Sequence, residues 1–212
     1  AQQPRLQITL VESPDVATIG VGEGTWPSMR QTLKLIGINE QDFFHCCDAS
    51  PKQGSQFIDW LAPGTQYVHP FTLPTGWPEH NLAAAWLPNA GAFSFGEAVC
   101  PQVSLSMQGF APKLAASGDY QGLVNYGYHL NAGKFIELLR RHCTGQLGAQ
   151  YLPAHLEQVE QASDGAIAAL LLQLPDGRLL RKTADLFIDC TGSRSLLLGE
   201  ALNTPFINAR RY

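Results

Sequence analysis

"DLFIDCTGSRSLLLGEAL", residues 185–202, decides how this chain is read. With Ala184 in front, residues 184–190 are nearly all apolar, as a strand covered on both faces is. Thr191, Gly192 and Ser193 then give a small-residue turn, and the leucines beyond it predict a helix. A buried strand ending in a glycine turn brings backbone N–H groups close to a bound group. By pattern alone an ordinary α/β turn reads the same way.

Working upstream, three short strand patterns cover about 155–160, 166–174 and 178–183. Asp164-Gly165 and Pro175-Asp176-Gly177 are the turn signals between them. Before them, "NAGKFIELLRRHCTG" at 131–145 predicts an amphipathic helix. Asn131 is its candidate N-cap, Phe135, Ile136, Leu138, Leu139 and Cys143 form its apolar face, and Gly145 ends it. Helix, meander, buried strand and glycine turn, in this order, are what FAD-binding two-dinucleotide folds show after their inserted substrate region.

Residues 50–130 differ in character. Proline, glycine, aromatics and histidines are dense and periodicity is weak, so a loop-rich cavity wall built on a scaffold is expected there. At the other end, "LQITLVE" at 6–12 alternates Leu6, Ile8 and Leu10 and reads as a strand ending at Glu12. Residues 14–25 read as loop. Pro27 suits the first turn of a helix over about 27–36 that stops at Gly37. Asn39 then caps a second, short helix carrying Phe43, Phe44, Cys46 and Cys47. An acid at a strand end is the group that holds ribose hydroxyls in a dinucleotide site, which makes Glu12 a candidate, although a solvated acid gives the same pattern. Gly20-x-Gly22-x-Gly24 does not sit directly between a strand and a helix, so it is no phosphate-binding fingerprint.

The chain is 45% hydrophobic and only 15% charged over 212 residues, which allows a sizeable core and excludes global disorder. With net charge −4 and basic residues gathered only in pairs such as Arg140-Arg141, nucleic acid is not an expected partner. The longest apolar runs are too short to span a bilayer, so no membrane association is expected. Five cysteines without a C-x-x-C pair support neither zinc nor a disulfide framework; mostly buried, reduced thiols in a cytoplasmic protein are expected.

Four ordered blocks carry a resemblance. "LVESPDVATIGVGEGTWPSM", "PKQGSQFIDW", "YGYHLNAGKFIELLRRHC" and "DLFIDCTGSRSLLLGEAL" resemble the flavin-dependent tryptophan halogenase family, in particular its V-G-E-[AG]-T-x-P, lysine, Y-x-x-H-[LF]-[DN]-A and D-x-F-[IV]-D-C-[ST]-G-F-R-x-L-L segments. Two departures stand out: Pro51 precedes the lysine, and Gly192-Ser193-Arg194 stands where the family has G-F-R. The resemblance implies an α/β, partial FAD-binding two-dinucleotide (glutathione-reductase-like) fold. The loop-rich substrate region at about 50–130 would be an insertion, and 131–212 would return to the FAD-binding core.

The implied chemistry is installation of chloride or bromide on an indole-like aromatic. Reduced FAD and oxygen give a flavin hydroperoxide, halide attacks it, and a lysine holds the resulting hypohalous acid beside the ring. That lysine matches Lys52. Glu12 and Ser13 match the adenosine end, Gly22, Glu23 and Thr25 the flavin-lining loop, Leu156 an adenine contact and Gly192 the pyrophosphate turn. His69 and Phe71 match the pair that sandwiches the substrate. The resemblance also implies a separate flavin reductase as transient partner, halide as co-substrate, and leaves a homodimer open. The family's N-terminal glycine turn, W-x-W-x-I-P signature and downstream glutamate have no match in these residues, so an inactive fragment is expected. A flavin-dependent aromatic monooxygenase and a non-catalytic flavin-binding module are the alternatives.

Overall fold

In the computed structural model, which describes residues 6–16 and 23–210, the first elements are β1 (Thr9–Glu12), α1 (Ser28–Leu35), α2 (Glu40–Cys46), β2 (Ser50–Lys52), β3 (Gly54–Ile58) and β4 (Gln66–Pro70). Then come α3 (Leu82–Trp86), α4 (Phe95–Val99), α5 (Pro101–Met107), β5 (Gly127–His129), α6 (Ala132–Gly145), β6 (Gln150–Pro153), β7 (His155–Gln161), β8 (Ile167–Gln173) and β9 (Leu179–Lys182). The chain divides into two compact units, residues 18–143 and residues 1–17 with 144–212.

In the unit of residues 18–143 the helix starts follow the expected chemistry. Pro27 precedes α1, and the Asn39 side chain accepts the Asp42 N–H at 3.1 Å to cap α2. Asn131 does the same for α6, accepting the Lys134 N–H at 3.1 Å. The core gathers Leu33, Ile38, Phe43, Cys47, Tyr126, Tyr128 and Leu130. The Phe43 ring meets Tyr128 and Phe135 edge-on at 4.9 and 5.5 Å. Its burial contributes about 1.5–3 kcal/mol by transfer alone.

Residues 50–130 are more regular than their sequence predicts, holding four strands and three helices. Periodicity misses them because the elements are short, and the partner of β2 lies far along the chain. β2 pairs antiparallel with β5 in the register Ser50↔His129 and Lys52↔Gly127. β3 pairs with β4 as a hairpin, Ser55 opposite His69. The other edge of β5 is taken by residues 23–25. Thr25 N–H donates to Tyr128 O at 2.7 Å, Tyr128 N–H to Thr25 Oγ1 at 3.0 Å and Leu130 N–H to Glu23 O at 2.9 Å.

In the unit of residues 1–17 and 144–212, β1 lies parallel to β6 from Thr9↔Gln150 to Glu12↔Pro153. No periodicity marks β6, a four-residue strand whose partner is at the other end of the sequence. The meander β7-β8-β9 is antiparallel, as the two turn signals predict. Ala169 and Leu172 of β8 are buried.

Two expectations fail at the segment that opened the reading. Residues 184–190 form no strand, and Leu186 and Ile188 are each 76% exposed. Apolar content does not make a strand without a ladder partner, and none pairs with this segment among the described residues. Beyond it, a 3₁₀ turn at Gly192–Arg194 and a π-helical turn at Leu196–Ala201 replace the expected α-helix. The cause is Asp189, whose carboxylate takes the N–H groups of Thr191, Leu197 and Leu198 at 2.9–3.0 Å. Ser195, in the left-handed region at φ 47°, is forced into the bend between the turns. Burial pushes the Asp189 carboxyl up, but the hydrogen bonds from Leu198, Thr191 and Leu197 outweigh it and hold it well below the usual carboxylate range.

The thiols are less uniformly buried than expected: Cys47 and Cys100 are buried, Cys46 and Cys143 partly, and Cys190 is exposed. Burial pushes the Cys47 thiol up to about 11. Among the described residues no helix is long and apolar enough to cross a membrane.

Candidate active site

The site in the unit of residues 18–143 is built on the β2–β5 ladder. Side chains alternate across a strand, so the inward Tyr126 and Tyr128, both fully buried, leave Gly127 and His129 on the opposite face. Register places Lys52 on that face as well, diagonal to His129. The half-buried Lys52 ammonium lies 5.7 Å from the centroid of the Phe71 ring. It has no carboxylate partner among the described residues.

Gly24 runs alongside. A Cβ built on it would stand 3.2 Å from Lys52 Nζ and 3.5 Å from His129 Nδ1, so a side chain here would press on the tip of Lys52, which would have to shift. A cleft of about 250 Å³ opens here, lined by Lys52, Gly54, Gln56, Val68, Met107 and His129.

Phe71 is positioned by backbone contacts. Its N–H donates to Gln53 O at 3.0 Å, and Asn125 Nδ2 donates to its carbonyl at 3.0 Å. The buried Gln102 fixes the same corner, accepting the Thr72 N–H at 2.8 Å and donating to Asn125 O at 2.6 Å. The exposed Trp26 ring tilts against Phe71 at 5.5 Å between centroids.

Beneath β5 sits a buried carboxylate. Glu40, 1% exposed, accepts hydrogen bonds from Tyr126 Oη at 2.7 Å and Tyr128 Oη at 2.6 Å, and from Lys113 Nζ and Tyr120 N–H at 2.6 Å each. Burial pushes its carboxyl up, but these donors prevail and its pKa is lowered. Burial and the Glu40 charge push both tyrosine phenols far up. The network locks the inner face of the strand whose outer face bears the cleft.

The residues expected in a site distribute as follows. Lys52, Phe71, Glu23 and Thr25 gather around β2 and β5. His69 stands two positions before Phe71, exposed, opposite Ser55. The Glu23 carbonyl is taken by β5 while its side chain is exposed, and Gly22 lies outside the described residues. Glu12, Ser13, Leu156 and Gly192 belong to the other unit. There Glu12 ends β1 at the carboxyl end of the parallel pair. The Ser13 hydroxyl meets His155 Nδ1 at 3.0 Å, and His155 Nε2 reaches Asp15 at 2.7 Å. Leu156 sits in β7 opposite Leu172, and Gly192, at φ 69°, has open space at its Cα.

Sequence reasoning missed His129, Gly24 as a spacer, and Glu40. The signal for the first was present: Tyr-Gly-Tyr-His at 126–129 alternates bulky and slight or polar residues, the mark of a strand with one buried face. Glu40 carries no such signal, because nothing local shows that an acid at a helix start is buried.

The family model described as "Tryptophan halogenase" matches residues 1–212. The chain belongs to this family. Members similar to it include the tryptophan 6-halogenase ThaL of Streptomyces albogriseolus, 29% identical over 98% of this chain and 41% of its own length. The tryptophan 7-halogenase RebH of Lentzea aerocolonigenes is 28% identical over 98% of this chain and 41% of its own. Among solved structures, a tryptophan halogenase from Shewanella frigidimarina is 51% identical, with a TM-score of 0.85 over 98% of this chain and 40% of that one. A flavin-dependent halogenase from Xanthomonas campestris is 37% identical, with a TM-score of 0.78 over 93% of this chain and 39% of that one. The chain thus spans about two fifths of the length of the family members it matches.

Proposed function

We propose that the whole protein is an FADH2-dependent halogenase that places chloride or bromide on an indole-like aromatic, with Lys52 as the catalytic residue. One observation carries this reading: a half-buried ammonium that lines a cleft, with no carboxylate partner among the described residues, stands 5.7 Å from the Phe71 ring. An ammonium committed to an ion pair has its donors occupied. Lys52 has hydrogens to give to a ligand, and a neutral amine there can serve as nucleophile.

The residues fit FAD. Ligands bind outside the carboxyl ends of parallel strands, and the one parallel pair among the described residues ends at Glu12, with Ser13 next. Glu12 and Ser13 would hold the adenosine end, Leu156 the adenine by its backbone, and Gly192 the pyrophosphate at a turn with no side chain in the way. Gly22, Glu23 and Thr25 would line the flavin. Reduced FAD, supplied by a separate reductase, would provide with oxygen the oxidising equivalent that converts halide to hypohalous acid.

The chain's own part is to receive and aim. Lys52 Nζ holds the oxidant, and His69 and Phe71 orient the flat substrate ring, since an aromatic face orients a ring without a polar handle. On this reading the chain is part of an FAD-binding two-dinucleotide fold, with residues 50–130 as its substrate region.

Lys52→Ala in the whole protein tests the assignment. Substrate halogenation, followed by mass spectrometry, should vanish while FAD affinity and reductase-driven flavin turnover persist. Retained halogenation sinks the role of Lys52, and a hydroxylated product from the unaltered protein would make it a monooxygenase instead.

A further inference from the structure

We propose that His129 is a positioning residue for Lys52, its imidazole forming one wall of the space in which the ammonium is aimed. The proposal rests on the reading of Lys52 given above. Its ground is the β2–β5 ladder: Tyr126 and Tyr128 are fully buried on one face, so His129 projects from the other, where the register sets Lys52 diagonally across from it. Diagonal neighbours on one face lie within reach of long side chains. Lys52 Nζ and His129 Nδ1 both approach the single point that a Cβ on Gly24 would fill, at 3.2 and 3.5 Å.

His129 is exposed, and only its backbone is fixed. His129 is pinned on one edge by Ser50 and on the other by Gly24, and Asn131 N–H, two residues on, donates to Cys47 O at 2.8 Å. Its base therefore has little freedom. The ring makes no side-chain hydrogen bond among the described residues, so no partner holds it away from Lys52.

Lysine carries about 2 kcal/mol of rotamer entropy. With no carboxylate to fix it, the direction of Nζ is set by walls: Gly24 on one side, His129 on another, and the Phe71 ring 5.7 Å away. Removing a wall leaves the amine in place but unaimed. An oxidant held by an unaimed amine is free to escape before it meets the substrate ring.

The experiment compares His129→Ala, His129→Gln, Gly24→Ala and Lys52→Ala in the whole protein with FAD, a flavin reductase, bromide and indole. Bromoindole and hypobromous acid captured by a diffusible scavenger are measured in the same reaction. His129→Ala should lose about a hundredfold in bromoindole, the scale that a misplaced reacting group costs. Scavenger product should not fall with it, and His129→Gln should recover part of the loss. Gly24→Ala should lose bromoindole too, because its methyl presses on Nζ.

Unchanged bromoindole in His129→Ala overturns the proposal if Lys52→Ala is inactive. If Lys52→Ala also retains bromination, the functional reading itself falls. A second measurement does not depend on turnover: the rate at which a small anhydride acylates Lys52, read by peptide mass spectrometry on folded wild type and His129→Ala. A rate that rises severalfold in the variant supports the wall, and equal rates overturn it.

Discussion

Strand β5 is three residues long, one of them glycine and one histidine, yet it is paired along both edges. Residues 184–190 are longer and mostly apolar, with Asp185 and Asp189 as the exceptions, yet they form no strand and expose Leu186 and Ile188. The difference teaches that a strand is specified by what pairs with it. β5 has β2 on one side, residues 23–25 on the other and the Glu40 network below. Residues 184–190 have apolar side chains that could be buried and one carboxylate, Asp189, that bonds forward into the next turn, and among the described residues no strand pairs with them.

The largest expected effect breaks the supported side of this comparison. Glu40→Ala leaves the Lys113 ammonium and two buried phenols without their acceptor, and should cost about 3–5 kcal/mol in denaturant unfolding. The same site sets a pH window. The folded-state pKa of Glu40 lies below its ordinary 4.5, so its stabilisation is fully present above that pH and is lost as pH falls through the lower folded value. Tyr126 and Tyr128 act at the other extreme. Their pKa values are raised from 10, so the stability they contribute is present below pH 10 and declines as pH rises beyond it. A stability profile flat across pH 3–6 in wild type, or a Glu40→Ala profile equal to wild type, would contradict the network.

A smaller effect is expected where the weaker region is held by a single side chain. Asp189→Ala removes the acceptor for three backbone N–H groups and should cost about 0.5–2 kcal/mol, as loss of a helix cap does. Amide exchange at residues 191–198 should quicken while exchange in β8 stays slow. Uniform acceleration would mean the turn is not a local unit.

The smallest effect sharpens the comparison. Ile188→Ser in the 212-residue chain should change stability by less than about 0.5 kcal/mol, the usual range for an exposed site. If the same substitution costs about 2 kcal/mol or more in the whole protein, a further strand covers the segment there.

Legibility followed the range of the interactions. The α6 start at Asn131 and the Asp-Gly turns of the β7-β8-β9 meander were readable, because a cap and a turn act within a few residues. β6 and the β2–β5 ladder were not, because short strands are defined by partners far along the chain. Lys52 and Phe71 were named through resemblance, and they do stand together in space. Gly24 is one of three closely spaced glycines in the sequence, and its missing side chain leaves room for Lys52 and His129. Residues 184–190 misled because apolarity signals a capacity for burial and says nothing of where a partner strand lies.

The double pairing of β5 has one more consequence. Residues 23–25 and Lys52 are hydrogen-bonded to opposite edges of the same strand, so they share one reference line. A displacement of that line carries both along together, and the spacing between the Glu23-Gly24-Thr25 segment and the lysine is conserved. The gauge between the two halves of the site is therefore cut into the ladder, insulated from whatever the loops around it do.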